Sequence, residues 1–362
     1  MSATSTPTLP PAIAWRPSAA VWVSLAAVAA ALAVGAGLIA LMGVPVGEAV
    51  AAFADGAWGT PYAIGASINR SLAFALVGLG FILAQRANLT NVGGEGQIAV
   101  GGIVATAFAL SPAVAGLPGG LAFAVPMVAA MTGGALWGAL PGYLKSRMGT
   151  NEVISTLLMS FIAVWMLYGS VQSTALLRQP MTTSSTLPES LTIPDATQLP
   201  VFGTDSGLTL HIGLPVGLVL ALLVAVVLSR SVVGVQLRAV GLNPEAARRA
   251  GLPIGGAIVG VMAAAGALGG LAGAFMLQGE QWSLKAGFSS GYGFDGLVVG
   301  LLARGSVTGV ISAALLFGFL RSGGINMEMV AGVPTALVVV IQGLIIVMLA
   351  GASLAMDGRK AR

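Results

Sequence analysis

The chain has 362 residues, of which 56% are hydrophobic and 8% are charged, and its formal net charge at pH 7 is +4. Soluble domains carry about 25% charged residues, so this composition predicts an all-α, polytopic membrane protein. A transmembrane β-barrel does not fit, because its strands alternate polar and apolar residues over only about 10 positions. The absence of cysteine and the single histidine exclude disulfides, thiolate chemistry and a histidine metal site.

In chain order, residues 1–18 are rich in Ser, Thr and Pro and predict a disordered cytoplasmic N-terminus. We expect a membrane domain over residues 19–352 and a cytoplasmic tail over residues 353–362. Nine apolar runs are long enough to span a bilayer, and the glycine-rich stretch 286–303 is a weaker tenth. The nine runs lie near 20–42, 67–86, 95–112, 119–144, 152–177, 210–229, 254–278, 305–322 and 333–351.

Charge placement favours ten spans with both termini in the cytoplasm. In that arrangement most Lys and Arg residues fall on the inner side, as the positive-inside rule requires. Residues 178–209 become an external loop and residues 230–253 a cytoplasmic loop.

Asn69 and Arg70 lie near the outer end of the second span and His211 at a span edge, where we interpret them as interfacial residues. The inner basic residues are Arg16, Arg86, Lys145, Arg147, Arg230, Arg238, Arg248, Arg249, Arg304, Arg359, Lys360 and Arg362.

Glycines are abundant, and Gly266, Gly269, Gly270 and Gly273 form two overlapping small-xxx-small patterns in one span. Such patterns allow helix backbones to approach closely in lipid, and we interpret them as packing features. A short internal similarity also links the segments 94–101 and 293–300, consistent with two structural halves.

Three polar clusters occur where apolar residues are expected, and they are candidates for a solute pathway or gate. Glycines beside Glu95 and Asp295 suggest non-helical backbone lining a cavity. Structural capping by these two acids is an equal alternative, and Asn151 with Glu152 fits an ordinary N-cap and first-turn acid. The candidate residues are Asn91, Glu95, Gln97, Asn151, Glu152, Phe294 and Asp295.

Residues 238–253 lie between two membrane spans and contain residues that typically begin and end a short helix. Asn243 can N-cap it, Pro244 suits its first position, and Glu245 suits its positive end. Gly251 and Pro253 end it. Arg248 and Arg249 give it a basic surface, so it is either an ordinary cytoplasmic turn or a contact for another protein.

Motifs for catalysis are absent from the sequence. It contains no Walker A loop, no His-Glu-x-x-His and no Gly-x-Ser-x-Gly, so we expect neither ATP hydrolysis by this chain nor another enzyme activity, and no cofactor or metal.

Several segments in this order resemble bacterial ABC-importer permeases of the branched-chain amino acid/ribose type, and most of all the nucleoside branch associated with basic membrane lipoproteins. Asn91-Val-Gly-Gly-Glu-Gly-Gln97 resembles an Asn-Ile-Gly-x-Glu-Gly-Gln signature, with Val92 for Ile and Thr90 in place of an aromatic residue. The other segments are 135–145, 151–156, 237–247, 293–296, 315–320 and 341–344.

The resemblance implies a permease of the bacterial inner membrane that moves a small-molecule solute, with no role in nucleic-acid binding. It implies a second permease subunit, identical or related, a cytoplasmic ABC ATPase, and a periplasmic or lipid-anchored solute-binding protein. Residues 230–253 would then be the coupling loop, in which the ATPase contacts a coupling helix. The coupling residues so implied are Arg238, Gly241, Asn243, Pro244, Glu245, Ala246, Arg248, Arg249 and Gly251.

Two alternatives to a nucleoside importer remain. Ribose or another simple sugar is the nearest, because the sequence does not identify the solute. An ion-coupled secondary transporter belongs to a different class and needs an ionisable site deep within a span. The acidic residues here cluster at loops and span ends, which favours the importer.

Overall fold

A computed structural model describes residues 19–182, 187–344 and 347–348, with the side chains of 19–25 and 27 undefined. The predicted disordered N-terminus (1–18) and cytoplasmic tail (353–362) lie outside these residues. The chain forms two compact units, Phe53–Gly323 and a smaller one made of Met1–Ala52 and Gly324–Arg362. The candidate residues from Asn91 to Asp295 all belong to the larger unit.

The described chain is almost entirely helical, as its composition predicts. Its helices are α1 (Ala19–Leu41), α2 (Val46–Ala54), α3 (Pro61–Arg86), α4 (Gly94–Ala109), α5 (Pro112–Ala115), α6 (Leu121–Met148), α7 (Glu152–Gln172), α8 (Gly213–Arg230), α9 (Val232–Leu242), α10 (Pro244–Arg249), α11 (Ile254–Met276), α12 (Tyr292–Leu302), α13 (Val307–Ala331) and α14 (Thr335–Leu344). Wider π-helical turns occupy Asp55–Gly59 and Leu277–Gln281.

Six of the described helices are long and apolar enough to cross a membrane, and a bent pair, Val28–Leu41 with Val46–Gly59, could form a seventh crossing. The six are α3, α6, α7, α8, α13 and α11 with its π-helical turn. A multi-pass membrane protein is therefore confirmed. Each of the ten predicted segments contains a helix, but α12 has only 11 residues, so the number of spans and the side of the termini stay predictions.

Helices α6 and α11 cross at glycines with their backbones in direct contact. A Cβ at Gly270 would overlap the carbonyl oxygen of Ala130, and one at Gly266 would overlap that of Gly134. Helix α4 meets the same place, since a Cβ at Gly101 would overlap the Gly270 carbonyl. The small-residue pattern predicted as a packing feature is confirmed, because only glycine permits this separation.

The predicted external loop runs along the end of α11 as an extended, hydrogen-bonded segment. The backbone nitrogens of Ser190 and Ile193 donate to the carbonyls of Leu284 and Trp282, both at 2.8 Å. A two-residue hairpin follows, in which β1 (Val201–Phe202) pairs antiparallel with β2 (Leu210–His211). This segment therefore covers one end of the helix bundle, although it has no separate core of its own.

The predicted cytoplasmic loop 230–253 contains more regular structure than a loop. Helix α9 occupies Val232–Leu242, N-capped by the Ser231 hydroxyl, which accepts a hydrogen bond from the Gly234 nitrogen at 3.1 Å. It ends before Pro244, which restricts the residue preceding it to extended backbone. The short helix predicted within 238–253 is α10, whereas α9 was not predicted from the sequence.

Candidate solute pathway and coupling segment

Asn91 and Gln97 form a buried pair of amides at the start of α4. The Asn91 Nδ2 donates to Gln97 Oε1, and Gln97 Nε2 donates to Asn91 Oδ1, both at 3.3 Å. Asn91 Oδ1 also accepts from the Gly93 nitrogen at 2.9 Å. The two amides hydrogen-bond to each other, and Asn91 also bonds to the Gly93 nitrogen, so together they fix the turn before α4.

Glu95 lies on the N-terminus of α12, almost two hundred residues away in sequence. Its Oε1 accepts from the Gly291 nitrogen at 2.9 Å, and its Oε2 accepts from the Gly293 nitrogen at 2.8 Å. The carboxylate is buried and so satisfies two otherwise free donors of the first turn, where the helix dipole favours negative charge. Of the two alternatives left by the sequence, capping is the role that the structure shows for Glu95.

The two segments with internal similarity contact each other. A Cβ at Gly293 would overlap the backbone nitrogen of Glu95, and one at Gly94 would lie 3.0 Å from the Gly293 carbonyl oxygen. Both segments are first turns of helices, α4 and α12. The expectation of non-helical backbone around Glu95 and Asp295 was therefore wrong, since these glycines permit close approach of two helix ends.

Two hydroxyls of α7 accept hydrogen bonds from backbone nitrogens at the start of α4. Thr156 Oγ1 accepts from the Val92 nitrogen at 3.1 Å, and Ser160 Oγ accepts from the Gly96 nitrogen at 3.3 Å. A Cβ at Gly96 would lie 2.7 Å from the Ser160 Cα. The start of α4 is thus held between α7, α11 and α12, and its polar groups are satisfied within the protein.

Asn151 and Glu152 have the capping role that we favoured from the sequence. Asn151 Oδ1 accepts from the nitrogens of Val153 and Ile154 at 2.9 and 3.3 Å and is the N-cap of α7. Glu152 Oε2 pairs with Lys145 Nζ at 2.7 Å. Among the described hydrogen bonds and ion pairs, none joins these two side chains to Asn91, Gln97 or Glu95.

A second charged cluster involves residues that the sequence analysis did not select. Arg70 of α3 pairs through Nε with Glu280 Oε2 at 3.3 Å, and the side chains are each 22% exposed. Arg70 Nη1 also donates to Ser322 Oγ of α13 at 2.7 Å. The guanidinium of Arg70 thus joins three helices, a role that the sequence analysis did not predict. Nothing in the local sequence indicates this pairing, since the partners are about two hundred residues apart.

Aromatic and charged side chains from three helices meet at the first turn of α12. Tyr292 stacks on Phe74 with ring centroids 4.6 Å apart, and the Arg321 guanidinium lies 5.0 Å from the Tyr292 ring centroid. Arg321 Nη2 donates to the Ser290 carbonyl at 3.2 Å, while its Nε is buried without a partner among the described residues. One hydrogen-bond donor at this turn, the Arg321 Nε–H, therefore has no acceptor among the described residues.

Phe294 and Asp295 belong to the same turn and are the least enclosed of the predicted pathway residues. Phe294 is exposed and Asp295 is partly exposed. Arg321 attracts the Asp295 carboxylate electrostatically, and Glu95 repels it. We name Arg70, Glu280, Tyr292, Asp295 and Arg321 the α12 charge cluster. It combines cations and a carboxylate with the neighbouring exposed ring of Phe294, the groups that recognise a polar ring-containing solute.

His211 is buried beneath the hairpin, where the sequence had suggested an interfacial position. Its Nδ1 accepts from the Gly213 nitrogen at 3.1 Å, which places the proton on Nε2. Burial lowers the pKa of His211 to about 4. Neighbouring Asn69 donates through Nδ2 to the Thr209 carbonyl at 2.9 Å, so both side chains hold the covering segment. No group of three His, Asp or Glu among the described residues could hold a metal ion.

The short helix α10 has the capping predicted from its sequence. Asn243 Oδ1 accepts from the Ala246 nitrogen at 3.0 Å, Pro244 is the first helical residue, and Gly251 has φ +82°. Glu245 and Arg249 form an exposed i,i+4 pair at 3.4 Å.

The surface and attachment of α10 suit a contact that transmits force. Ala246, Arg248 and Arg249 are exposed, as is Arg238 on the preceding α9. A Cβ at Gly241 would lie 2.6 Å from the Arg86 carbonyl oxygen, so the end of α9 packs directly on the end of α3. Movement of α10 would therefore be transmitted to a helix that carries Arg70.

Residues 63–350 match the family described as the permease component of the branched-chain amino acid transport system. The chain belongs to this family. It is therefore a multi-pass permease of an ABC transporter, as the resemblance in its sequence implied. The match includes every predicted apolar segment except the first, near residues 20–42.

Characterised members of this permease family include close relatives of different solute specificity. The guanosine ABC transporter permease NupP of Bacillus subtilis is 34% identical over 87% of this chain and 89% of its own length. The nucleoside permease NupB of Lactococcus lactis is 31% identical over 81% and 80%. The glucose permease TsgB13 of Haloferax volcanii is 35% identical over 77% and 74%. No solved structure matches this chain.

Proposed function

We propose that this chain is a nucleoside permease subunit of an ATP-driven importer in the bacterial cytoplasmic membrane. The observation that carries the solute assignment is the similarity to guanosine and nucleoside permeases over more than four fifths of the chain. The α12 charge cluster supports it chemically. Its carboxylate and guanidinium groups suit ribose hydroxyls and ring nitrogens, and the exposed Phe294 ring offers an aromatic surface to a base.

In the proposed mechanism, the partner proteins supply the movement and this chain forms the gate for the solute. A solute-binding protein, periplasmic or lipid-anchored, delivers the nucleoside to the outer side, and a second permease, identical or related, completes the pathway. A cytoplasmic ATPase contacts α10. Its movement passes through α9 and Gly241 to α3, and through the Arg70–Glu280 and Phe74–Tyr292 contacts to α12.

The direct test is uptake by the reconstituted transporter with its ATPase and binding protein. We expect ATP-dependent uptake of radiolabelled guanosine that excess unlabelled nucleoside inhibits and excess glucose or ribose does not. Uptake of glucose or ribose with no nucleoside uptake would establish the sugar alternative. Uptake driven by an ion gradient without ATPase would establish the secondary-transporter alternative.

The coupling role of α10 has its own test. The double variant Arg248→Ala/Arg249→Ala should lose most solute-stimulated ATP hydrolysis while the complex still contains folded permease. Arg147→Ala/Arg230→Ala is the matched control, because it removes the same charge from exposed positions outside α10. Equal loss in both variants would mean that net charge is responsible, and the proposed contact would be abandoned.

A further inference from the structure

A pocket of about 560 Å³ opens where α3, α9 and the turn after α12 come together. Three arginines line it, one from each of these elements: Arg86, Arg238 and Arg304. No acidic residue lines the pocket. The residues come from distant parts of the sequence, so their convergence is a property of the tertiary structure. The pocket shares Arg238 and Gly241 with the implied coupling residues.

The three positive charges are not neutralised by carboxylates of the described chain. Its ion pairs, within the described residues, are Arg70–Glu280, Lys145–Glu152 and Arg249–Glu245. Arg86 donates to the Leu228 carbonyl at 3.4 Å, which leaves its charge uncompensated. Like charges that share one pocket repel each other, and an anion bound among them offsets this electrostatic repulsion.

Helix dipoles account for part of this arrangement. Arg86 ends α3 and Arg304 follows α12, so each lies at the negative end of a helix, where a cation is favoured. Arg238 lies within α9, away from its last turn, and has no such explanation. Because Arg238 lines the same pocket as the two other arginines, it adds a charge that the helix dipoles do not explain, and this feature points to a ligand.

The backbone of the pocket is also unusual. Asn88 and Arg304 both line it, and both have positive φ values of 57° and 49°. Non-glycine residues in this region cost free energy and concentrate at binding sites, because the surrounding structure must hold them there. The left-handed turns bring the ends of α3 and α12 to the same opening.

The remaining lining residues indicate an amphiphilic anion. Leu242 and Leu301 line the same pocket and are 79% and 51% exposed. Arg86 is the last residue of a membrane-spanning helix, so the pocket lies at the level of the bilayer surface. A basic pocket between membrane helices with apolar residues beside it matches a phospholipid, whose phosphate binds arginine while its chains contact leucine.

We propose that this pocket binds the phosphate of an anionic phospholipid, with Arg238 and Arg304 as its principal contacts. The site adjoins Gly241, where α9 packs on the end of α3. Bound lipid therefore holds together the two helices through which α10 is connected to the bundle.

The test is native mass spectrometry of the delipidated full-length permease with added cardiolipin, phosphatidylcholine or inorganic phosphate. We expect cardiolipin to bind and phosphatidylcholine to bind more weakly. In Arg238→Gln/Arg304→Gln, cardiolipin binding should weaken at least about tenfold more than in the control Arg147→Gln/Arg230→Gln. The tenfold figure follows from about 1 kcal/mol for each arginine near an anionic surface.

Three results would overturn the proposal. Equal weakening in pocket and control variants would mean general attraction to negative charge. Binding of inorganic phosphate as tight as that of cardiolipin, with displacement of the lipid, would identify a free-phosphate site. Unchanged cardiolipin binding together with loss of ATPase copurification from the pocket variant would mean that the arginines contact an acidic protein surface.

Discussion

The carboxylate of Glu95 accepts a hydrogen bond from the backbone nitrogen of Gly293 at 2.8 Å and thereby joins the start of α4 to the start of α12. The two residues belong to the two similar glycine-rich segments, and the glycine is required because any side chain would overlap the Glu95 backbone. One ionisable residue within the membrane domain thus caps the start of a helix.

Removal of the Glu95 carboxylate should destabilise the protein by uncapping α12. Two hydrogen bonds to a charged acceptor are lost in Glu95→Ala, at about 1.5–3 kcal/mol each before relaxation. Glu95→Gln keeps one acceptor oxygen and should have about half the effect. The measurement is the unfolding temperature in detergent. If Glu95→Ala unfolds like the natural protein but fails in nucleoside uptake, the carboxylate contacts solute and is not primarily a cap.

Glycine at position 270 should be irreplaceable, whereas glycine at position 260 of the same helix should not. Gly270→Ala forces a methyl group into the Ala130 carbonyl and should cost more than about 3 kcal/mol or prevent folding. Gly260 has open space around its Cβ position, so Gly260→Ala should be neutral or stabilising by up to about 1 kcal/mol. Yield and unfolding temperature measure both. Equal tolerance at the two positions would contradict the observed helix crossing.

The effects of removing Arg70 and Glu280 on the free energy of unfolding should be strongly non-additive. Either Arg70→Met or Glu280→Leu leaves one charge unpaired in a largely enclosed position and should destabilise by about 2 kcal/mol. The double variant removes both charges and should recover most of that loss. The unfolding temperatures of the natural protein, the two single variants and the double variant are compared in a double-mutant cycle.

Transport by the same double variant tests the functional part of the cluster. We expect nucleoside uptake to stay impaired even though stability returns, because the pair connects α3 to the elements around α12. Normal uptake by Arg70→Met/Glu280→Leu would show that the pair is structural only.

Stability should fall on acidification through protonation of His211. Burial favours the neutral imidazole and lowers its pKa to about 4, so the folded state binds fewer protons than the unfolded chain. The stabilisation is fully present above pH 6.5 and is lost as pH falls from 6.5 towards 4, to a total on the order of 3 kcal/mol. This is the only histidine in the chain, so its contribution can be isolated.

His211→Asn is the variant for that measurement, since the Asn Oδ1 can accept from the Gly213 nitrogen as the imidazole Nδ1 does. Its unfolding temperature should change less between pH 7 and pH 5 than that of the natural protein. The same pH slope in both proteins would assign the effect to carboxylates elsewhere.

Local features of the sequence predicted the parts of the structure that depend on neighbouring residues. The capping of α10 by Asn243, Pro244 and Gly251 is confirmed, as is the capping of α7 by Asn151. Helix α9 was missed because its exposed valines lack the pattern of a soluble amphipathic helix and it is too short for a span. The solute contacts and the ATPase contact stay predictions.

The sequence by itself determined the all-α membrane class, the positions of the long helices, the caps of α7 and α10, and the family. These follow from composition, run length and residue spacing, which act over a few turns of a helix. Only the tertiary structure decided that Glu95 caps α12, that Arg70 pairs with Glu280, and that Arg86, Arg238 and Arg304 share a pocket. Such contacts join residues about seventy to over two hundred positions apart. They depend on which glycine faces allow helices to touch, because close packing brings polar groups of different helices within hydrogen-bonding distance.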